Sequence, residues 1–133
     1  MRLLLDTHIV LWYVSGNTRL PVDARRQIES AEVACYSAVS LWEVAIKHSI
    51  NAAVMPTSDE DFAAYADSAR LEYLPLSKPH ISMLKTLRLA PGAKEHRDPF
   101  DRMLMCQAKA EGMRLLTHDA LLGGYGEPCV ALV

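Results

Sequence analysis

The stretch Arg2-Leu3-Leu4-Leu5-Asp6-Thr7-His8 begins with a short apolar run and then turns abruptly polar. Three consecutive leucines without alternation are typical of a parallel strand that is covered on both faces. Similar short apolar segments follow at 33–36, 73–76, 115–117 and 129–133. The chain therefore carries five candidate strands, well separated from one another.

Helical patterns fill most of the intervals between these strands. Segments with one apolar face or with clear helix boundary signals lie at 9–14, 22–30, 38–49, 59–70, 80–87 and 99–111. Ser37 can cap one helix, Asp98-Pro99 can begin another, and Gly112 can end it. Alternating strands and helices predict an α/β fold, a three-layer α/β/α sandwich with a central parallel sheet. With no repeat or linker, residues 1–133 are interpreted as one domain.

The composition is that of an ordinary globular domain, with 133 residues, 50% of them hydrophobic, and a formal net charge of −2. Because there is no general excess of basic residues, a polyanion would have to be held by a local patch or by metal. Cys35, Cys106 and Cys129 have no metal-binding spacing and are interpreted as free thiols of a reducing compartment. No apolar stretch approaches the roughly 18 residues of a membrane span, so we expect a cytoplasmic protein that contacts no membrane.

Four acidic residues stand where strands are predicted to give way to helices: Asp6, Glu43, Asp101 and Asp119. In an open parallel sheet the carboxyl ends of the strands share one edge, and ligands bind in the crevice there. Acids that are far apart in sequence can therefore converge. Several carboxylates with too few bases repel one another unless a divalent cation joins them. The set predicts a metal-dependent site for phosphodiester cleavage.

Each acid also has a purely structural interpretation. Asp6 and Asp119 can cap the helices that follow them, and Asp98 can cap the helix that begins at Pro99. Glu43 can pair with Lys47 one helical turn later. Capping explains single members, but it does not explain why the set falls along one sheet edge.

Four motifs together resemble those of the PIN-domain family, and most closely its VapC-type members, the ribonuclease toxins of toxin–antitoxin pairs. They are Leu4-Leu5-Asp6-Thr7-His8, Ser37-x-x-Ser40-x-x-Glu43, His96-Arg97-Asp98-Pro99-Phe100-Asp101-Arg102 and Leu116-Thr117-His118-Asp119. Their order and spacing agree with the family over nearly the whole chain. The run from His96 to Arg102 is the most specific of the four.

The resemblance implies a Rossmann-like fold and an acidic site for Mg²⁺ or Mn²⁺. Asp6, Glu43, Asp101 and Asp119 match the family's catalytic quartet. Asp6 and Asp101 are expected to bind the ion directly, and Glu43 and Asp119 through water or a second ion. Supporting roles are expected for Thr7, Ser40 and Asp98; whether Asp98 is a ligand or only a helix cap stays open.

Basic residues near the acids are expected to hold the RNA backbone: Lys94, His96, Arg97 and Arg102. The resemblance further implies a homodimer and a small VapB-type antitoxin partner. Two alternatives stay open at this point. One is a non-catalytic module that binds RNA or antitoxin, and the other is a housekeeping PIN nuclease in RNA processing.

Overall fold

The computed structural model describes residues 1–133 and contains one five-stranded sheet. Its strands are β1 (Arg2–Leu5), β2 (Val33–Ser37), β3 (Glu72–Leu74), β4 (Arg114–Thr117) and β5 (Val130–Leu132). All neighbouring strands are parallel, in the order β3-β2-β1-β4-β5. The chain builds outward from β1 on one side and then returns to add β4 and β5 on the other. The carboxyl end of β1 is therefore the point where the strand order reverses, at which ligands commonly bind.

Six α-helices cover the sheet. They are α1 (Thr7–Ser15), α2 (Val22–Ser30), α3 (Ala38–Ile50), α4 (Asp59–Ser68), α5 (Lys78–Ser82) and α6 (Pro99–Glu111). Two 3₁₀ segments, Met83–Thr86 and Ala120–Tyr125, complete the regular structure. None of the helices is both long and apolar enough to cross a membrane.

The leucines of β1 occupy the centre of both core layers. Leu3 and Leu5 pack into one buried cluster with Phe62 of α4, whereas Leu4 faces the other cluster with Leu104 of α6. All of these side chains are completely buried. Because strand side chains alternate between faces, an unbroken apolar run requires cover on both sides. The predicted three-layer α/β/α sandwich with a parallel sheet is confirmed.

Several predicted boundaries shift by a few residues. β3 ends at Leu74 instead of continuing to 76, because Pro75 has no N–H to donate to a neighbouring strand. The predicted helix at 80–87 begins earlier, at Lys78, and changes to a 3₁₀ segment at Met83. Gly112 does end α6, in the left-handed conformation with φ of 65°.

The helical spacing of Val39, Trp42, Ala45 and Ile46 predicts one apolar face of α3 with Trp42 in the core, and this prediction is wrong at Trp42. Its side chain is 58% exposed and its ring lies edge-on to Phe100 at 5.1 Å between centroids. The buried face of α3 instead carries Ser40 and Glu43 together with Val39 and Val44. The helix is rotated so that a carboxylate, and not the indole, points toward the sheet edge.

Candidate active site

An open cleft of about 290 Å³ lies at the carboxyl edge of the sheet, beside the end of β1. Its lining comprises five carboxylates, one lysine and three aromatic rings: Asp6, Glu43, Asp98, Asp101, Asp119, Lys47, His8, Trp12 and His118. The quartet predicted from sequence is therefore brought together, although its members span more than a hundred positions.

Asp6 lies deepest and is 7% exposed. One carboxylate oxygen accepts the Thr7 backbone N–H at 2.7 Å and so caps α1, and the other accepts the Thr117 hydroxyl at 2.7 Å. Burial raises the pKa of Asp6, and the nearby Glu43 raises it further, against the opposing hydrogen bonds from Thr117 and Thr7. Asp6 is thus both a helix cap and a site carboxylate.

Glu43 is 4% exposed and fully hydrogen-bonded. The Thr7 hydroxyl donates to its Oε1 at 2.6 Å and lies 2.8 Å from the Ser40 hydroxyl. Lys47 Nζ donates to Oε2 at 2.5 Å, so the alternative i,i+4 pair is also present. Contact with Glu43 and the charges of Asp98 and Asp101 raise the pKa of Lys47, although burial works against them. Thr7 and Ser40 therefore fix the orientation of Glu43.

Asp98 and Asp101 have different surroundings at the start of α6. Asp98 Oδ1 accepts the backbone N–H groups of Phe100 and Asp101, at 2.9 and 3.0 Å, as an N-cap does. Asp101 accepts no backbone donor, and its Oδ2 lies 3.1 Å from Nε2 of His96. Burial raises the pKa of Asp101 to about 7, helped by the charges of Asp6, Asp98 and Glu43 and opposed by His96.

Asp119 sits at the mouth of the cleft and caps the 3₁₀ segment through Leu121 N–H at 2.9 Å. Its own backbone N–H donates to Thr117 Oγ1 at 3.1 Å, and that hydroxyl donates in turn to Asp6. Thr117 therefore joins two acids of the quartet. Sequence reasoning missed this role, although the polar residue at the end of β4 is the same kind of signal that identified Asp6.

The basic residues predicted to contact RNA lie outside the cleft lining. His96 is buried, not on the surface where a contact with the RNA backbone requires it. Arg97 is exposed and pairs with Glu95 at 2.5 Å, and Lys94 is also exposed. Arg102 lines a second cavity together with His96 and Tyr125. The charged group that does reach the acids is Lys47.

Aromatic rings form the lip of the cleft. Trp12 lies 6.2 Å from the His8 ring and 5.4 Å from the His118 ring, measured between centroids. The sequence permits two interpretations of His8, a substrate contact or a partly buried ring beside Trp12. His8 does lie beside Trp12, but its side chain is exposed instead of partly buried. Its outward direction could not be read from the spacing alone.

A model of the PIN domain matches residues 3–124 of this chain. The chain belongs to the PIN-domain family. The resemblance carried by the four motifs is thereby confirmed over most of the sequence.

Solved structures similar to this PIN domain include two VapBC complexes bound to DNA. The VapBC2 complex from Rickettsia felis has a matching chain with 17% identity and a TM-score of 0.68, covering 100% of this chain and 98% of the other. The matching chain of the Salmonella typhimurium complex is 18% identical with the same TM-score, and the match covers 100% of this chain and 97% of the other. A chain of a toxin–antitoxin complex from Klebsiella pneumoniae is 16% identical with a TM-score of 0.60, and the match covers 96% of this chain and 94% of the other. No curated protein matches the chain. At these identities the likeness establishes the fold.

The cleft of this PIN domain fits a divalent cation. Five carboxylates face one ammonium group, so the site carries excess negative charge in a partly buried setting. Burial is the largest cause of the raised pKa of Asp101, about 7, and the negative charges of Asp6, Asp98 and Glu43 raise it further. Carboxylate oxygens are the ligands that hard divalent ions prefer. The residues present therefore form an acidic cluster able to hold a metal ion.

Proposed function

We propose that this protein is a metal-dependent endoribonuclease and the toxin of a toxin–antitoxin pair. The observation that carries the proposal is the convergence of five carboxylates on one open cleft at the end of β1, with Lys47 as the only cation among them. Such a cluster is costly to assemble unless a bound cation compensates it, and metal-assisted hydrolysis is the chemistry that uses it.

Mg²⁺ or Mn²⁺ is the proposed ion. Asp6 and Asp101 would hold it directly, and Glu43 and Asp119 would act through water or a second ion. The chemistry supplied by such an ion is activation of water and neutralisation of charge on the phosphate. Asp98 supports the site by capping α6 and so fixing the direction of Asp101.

The chain's own residues prepare this centre in two ways. The Thr117 hydroxyl and the Thr7 backbone N–H hold the two carboxylate oxygens of Asp6 in fixed directions. The ion pair with Lys47 partly neutralises Glu43 and so reduces the repulsion among the carboxylates of the cleft. Outside the cleft, the exposed side chains of Lys94 and Arg97 are proposed to contact the flanking RNA backbone by charge alone.

RNA cleavage by the purified protein tests the proposal directly. We expect cleavage of single-stranded RNA with Mg²⁺ or Mn²⁺ and loss of activity of at least about a hundredfold with excess EDTA, since the ion neutralises phosphate charge. Activity that returns when Mn²⁺ is added back is the matched control. Cleavage that persists in EDTA would contradict a metal-dependent mechanism. Metal binding without cleavage of any RNA would favour the binding-module alternative.

The proposal includes two protein partners. The similar solved structures are VapBC and other toxin–antitoxin complexes, which supports a small VapB-type antitoxin for this chain. Exposed apolar side chains of Trp42, Leu76 and Ile81 line a groove of about 290 Å³ that offers a surface for a homodimer. Light scattering during size-exclusion chromatography should give twice the chain mass of 14.8 kDa. A monomer throughout the micromolar range would contradict the dimer.

A further inference from the structure

The imidazole of His96 is buried between Asp101 and Tyr125. Its side chain is 4% exposed, with Nε2 lying 3.1 Å from Asp101 Oδ2 and Nδ1 lying 3.1 Å from the Tyr125 hydroxyl. The ring planes of His96 and Tyr125 are almost perpendicular, at 88°. Both ring nitrogens therefore face specific polar atoms, and neither faces solvent.

The proton on the Tyr125 hydroxyl fixes which nitrogen of His96 carries hydrogen. This hydroxyl donates to the backbone carbonyl of His96 at 2.9 Å, and that carbonyl has no other hydrogen-bond donor. With its one proton committed, the hydroxyl can only accept from Nδ1–H. In the neutral ring, Nε2 is then an unprotonated lone pair that points at the Asp101 carboxylate. Two facing acceptors need a proton or a cation between them.

The separations around Nε2 also suit a metal ion. One ring nitrogen of His96 and one oxygen each from Asp101 and Asp119 all lie within 4.8 Å of one another, and Nε2 is the ring nitrogen that faces Asp101. Around an octahedrally coordinated ion with metal–ligand bonds of about 2.1 Å, neighbouring donor atoms are about 3 Å apart. The distance between His96 Nε2 and Asp101 Oδ2 is 3.1 Å, which is close to that value. A histidine ligand usually donates its other N–H to a fixed acceptor, which is the arrangement that Tyr125 provides.

We propose that His96 Nε2, Asp101 and Asp119 form a mixed nitrogen–oxygen site for a divalent transition-metal ion. An imidazole donor suits Zn²⁺, Fe²⁺ and Ni²⁺ best, whereas Mg²⁺ favours an all-oxygen shell, and Mn²⁺ accepts an imidazole more readily than Mg²⁺ does. His96 thus shifts the preference of the acidic cleft from Mg²⁺ toward transition ions, Mn²⁺ among them, and Tyr125 holds the imidazole in the ligating tautomer. The inference rests on the proposed metal centre, with which it shares Asp101 and Asp119, and it corresponds to the arrangement in which Asp119 binds a second ion. It concerns metal binding and not RNA cleavage.

Pulsed electron paramagnetic resonance of the Mn²⁺-loaded protein tests the site. We expect modulation from a directly bound imidazole ¹⁴N nucleus, which changes to the ¹⁵N pattern when the protein is labelled with ¹⁵N-histidine. Calorimetric titration should show that His96→Gln weakens Mn²⁺ binding about 10- to 100-fold. The same substitution should change Mg²⁺ binding less than threefold, because Mg²⁺ gains little from the nitrogen donor.

Two other histidines provide matched controls, since His8 and His118 line the same cleft without belonging to the trio. His8→Gln and His118→Gln should each retain the nitrogen signal. Absence of nitrogen modulation in the Mn²⁺-loaded parent would overturn the inference even if His96→Gln failed to fold. A signal that survived His96→Gln would overturn it as well. A nitrogen signal without RNA cleavage would support the site and count against the proposed nuclease.

Discussion

Asp101→Asn is expected to reduce RNA cleavage at least about a hundredfold while leaving the fold intact. The substitution keeps the size of the side chain and removes the charge of the carboxylate whose pKa burial and acidic neighbours raise to about 7. An asparagine N–H can still donate to the lone pair of His96 Nε2 across the present 3.1 Å. By contrast, Asp6→Asn would lose an acceptor for the Thr117 hydroxyl, so it changes more than charge. Steady-state cleavage of a defined RNA with Mn²⁺ measures the effect.

Asp98→Asn is the matched control for this experiment. It makes the same chemical change in the same helical turn and the same cleft, and asparagine caps helices about as well as aspartate. Because Asp98 Oδ1 is occupied by two backbone N–H groups, we expect this variant to keep cleavage within about tenfold of the parent. Equal losses in both variants would show that Asp98 is a ligand as well as a cap. Full activity in Asp101→Asn would remove Asp101 from the centre.

The metal-free protein is expected to lose stability as the pH rises from about 4 to about 7. The pKa of Asp101 is raised from 3.8 to about 7 in the folded state, chiefly by burial and then by neighbouring carboxylates. The folded state therefore binds this proton more tightly than the unfolded state does. The resulting stabilisation is fully present only when the pH is below the pKa of Asp101 in the unfolded chain, and it is lost as the pH rises through the pKa in the folded state. A shift of this size corresponds to at most about 4 kcal/mol of unfolding free energy, and solvent screening at the open cleft lowers that figure. The raised pKa of Asp6 acts in the same direction.

Urea unfolding at pH 5 and pH 8 in EDTA, compared between parent and Asp101→Asn, isolates this contribution. The variant should exceed the parent in unfolding free energy at pH 8 by more than it does at pH 5. Saturating Mn²⁺ should stabilise the parent at pH 8, since ligands that bind only the folded state do so. Asp23→Asn makes the same substitution at a side chain that is 91% exposed and should show no such pH dependence. If the unfolding free energy of the parent rose relative to that of Asp101→Asn up to pH 8, the raised pKa of Asp101 in the folded protein would be contradicted.

An activity loss and a stability gain from one substitution would have a single physical cause. Asp101 is held near other carboxylates at a cost in free energy, and that cost is useful only when a cation or substrate is bound. Sites that bind metals commonly carry such a cost. The combination would distinguish a functional acid from a capping acid, whose removal lowers stability instead.

The fold was accessible from the sequence because its main signals are local. The leucines of β1 predict a strand covered on both faces, and Asp98-Pro99 and Gly112 mark the two ends of α6. Parallel strands must deliver their carboxyl ends to one edge, so the convergence of Asp6 and Asp119 followed from the strand pattern alone. The PIN-domain motifs carried the same information in the order and spacing of the acids.

The partners of each side chain were not accessible in this way. The direction in which Trp42, His8 and His96 point depends on the rotation of each element against its neighbours, which spacing along the chain does not specify. His96 reads as one more basic residue in a polar loop, yet Tyr125, 29 positions later, turns its imidazole toward Asp101. The parallel sheet and the set of acids follow from local patterns along the chain. The hydrogen bonds by which Thr117 joins two of these acids, and the buried histidine that faces a third, arise from long-range packing, so they are visible only in the folded protein.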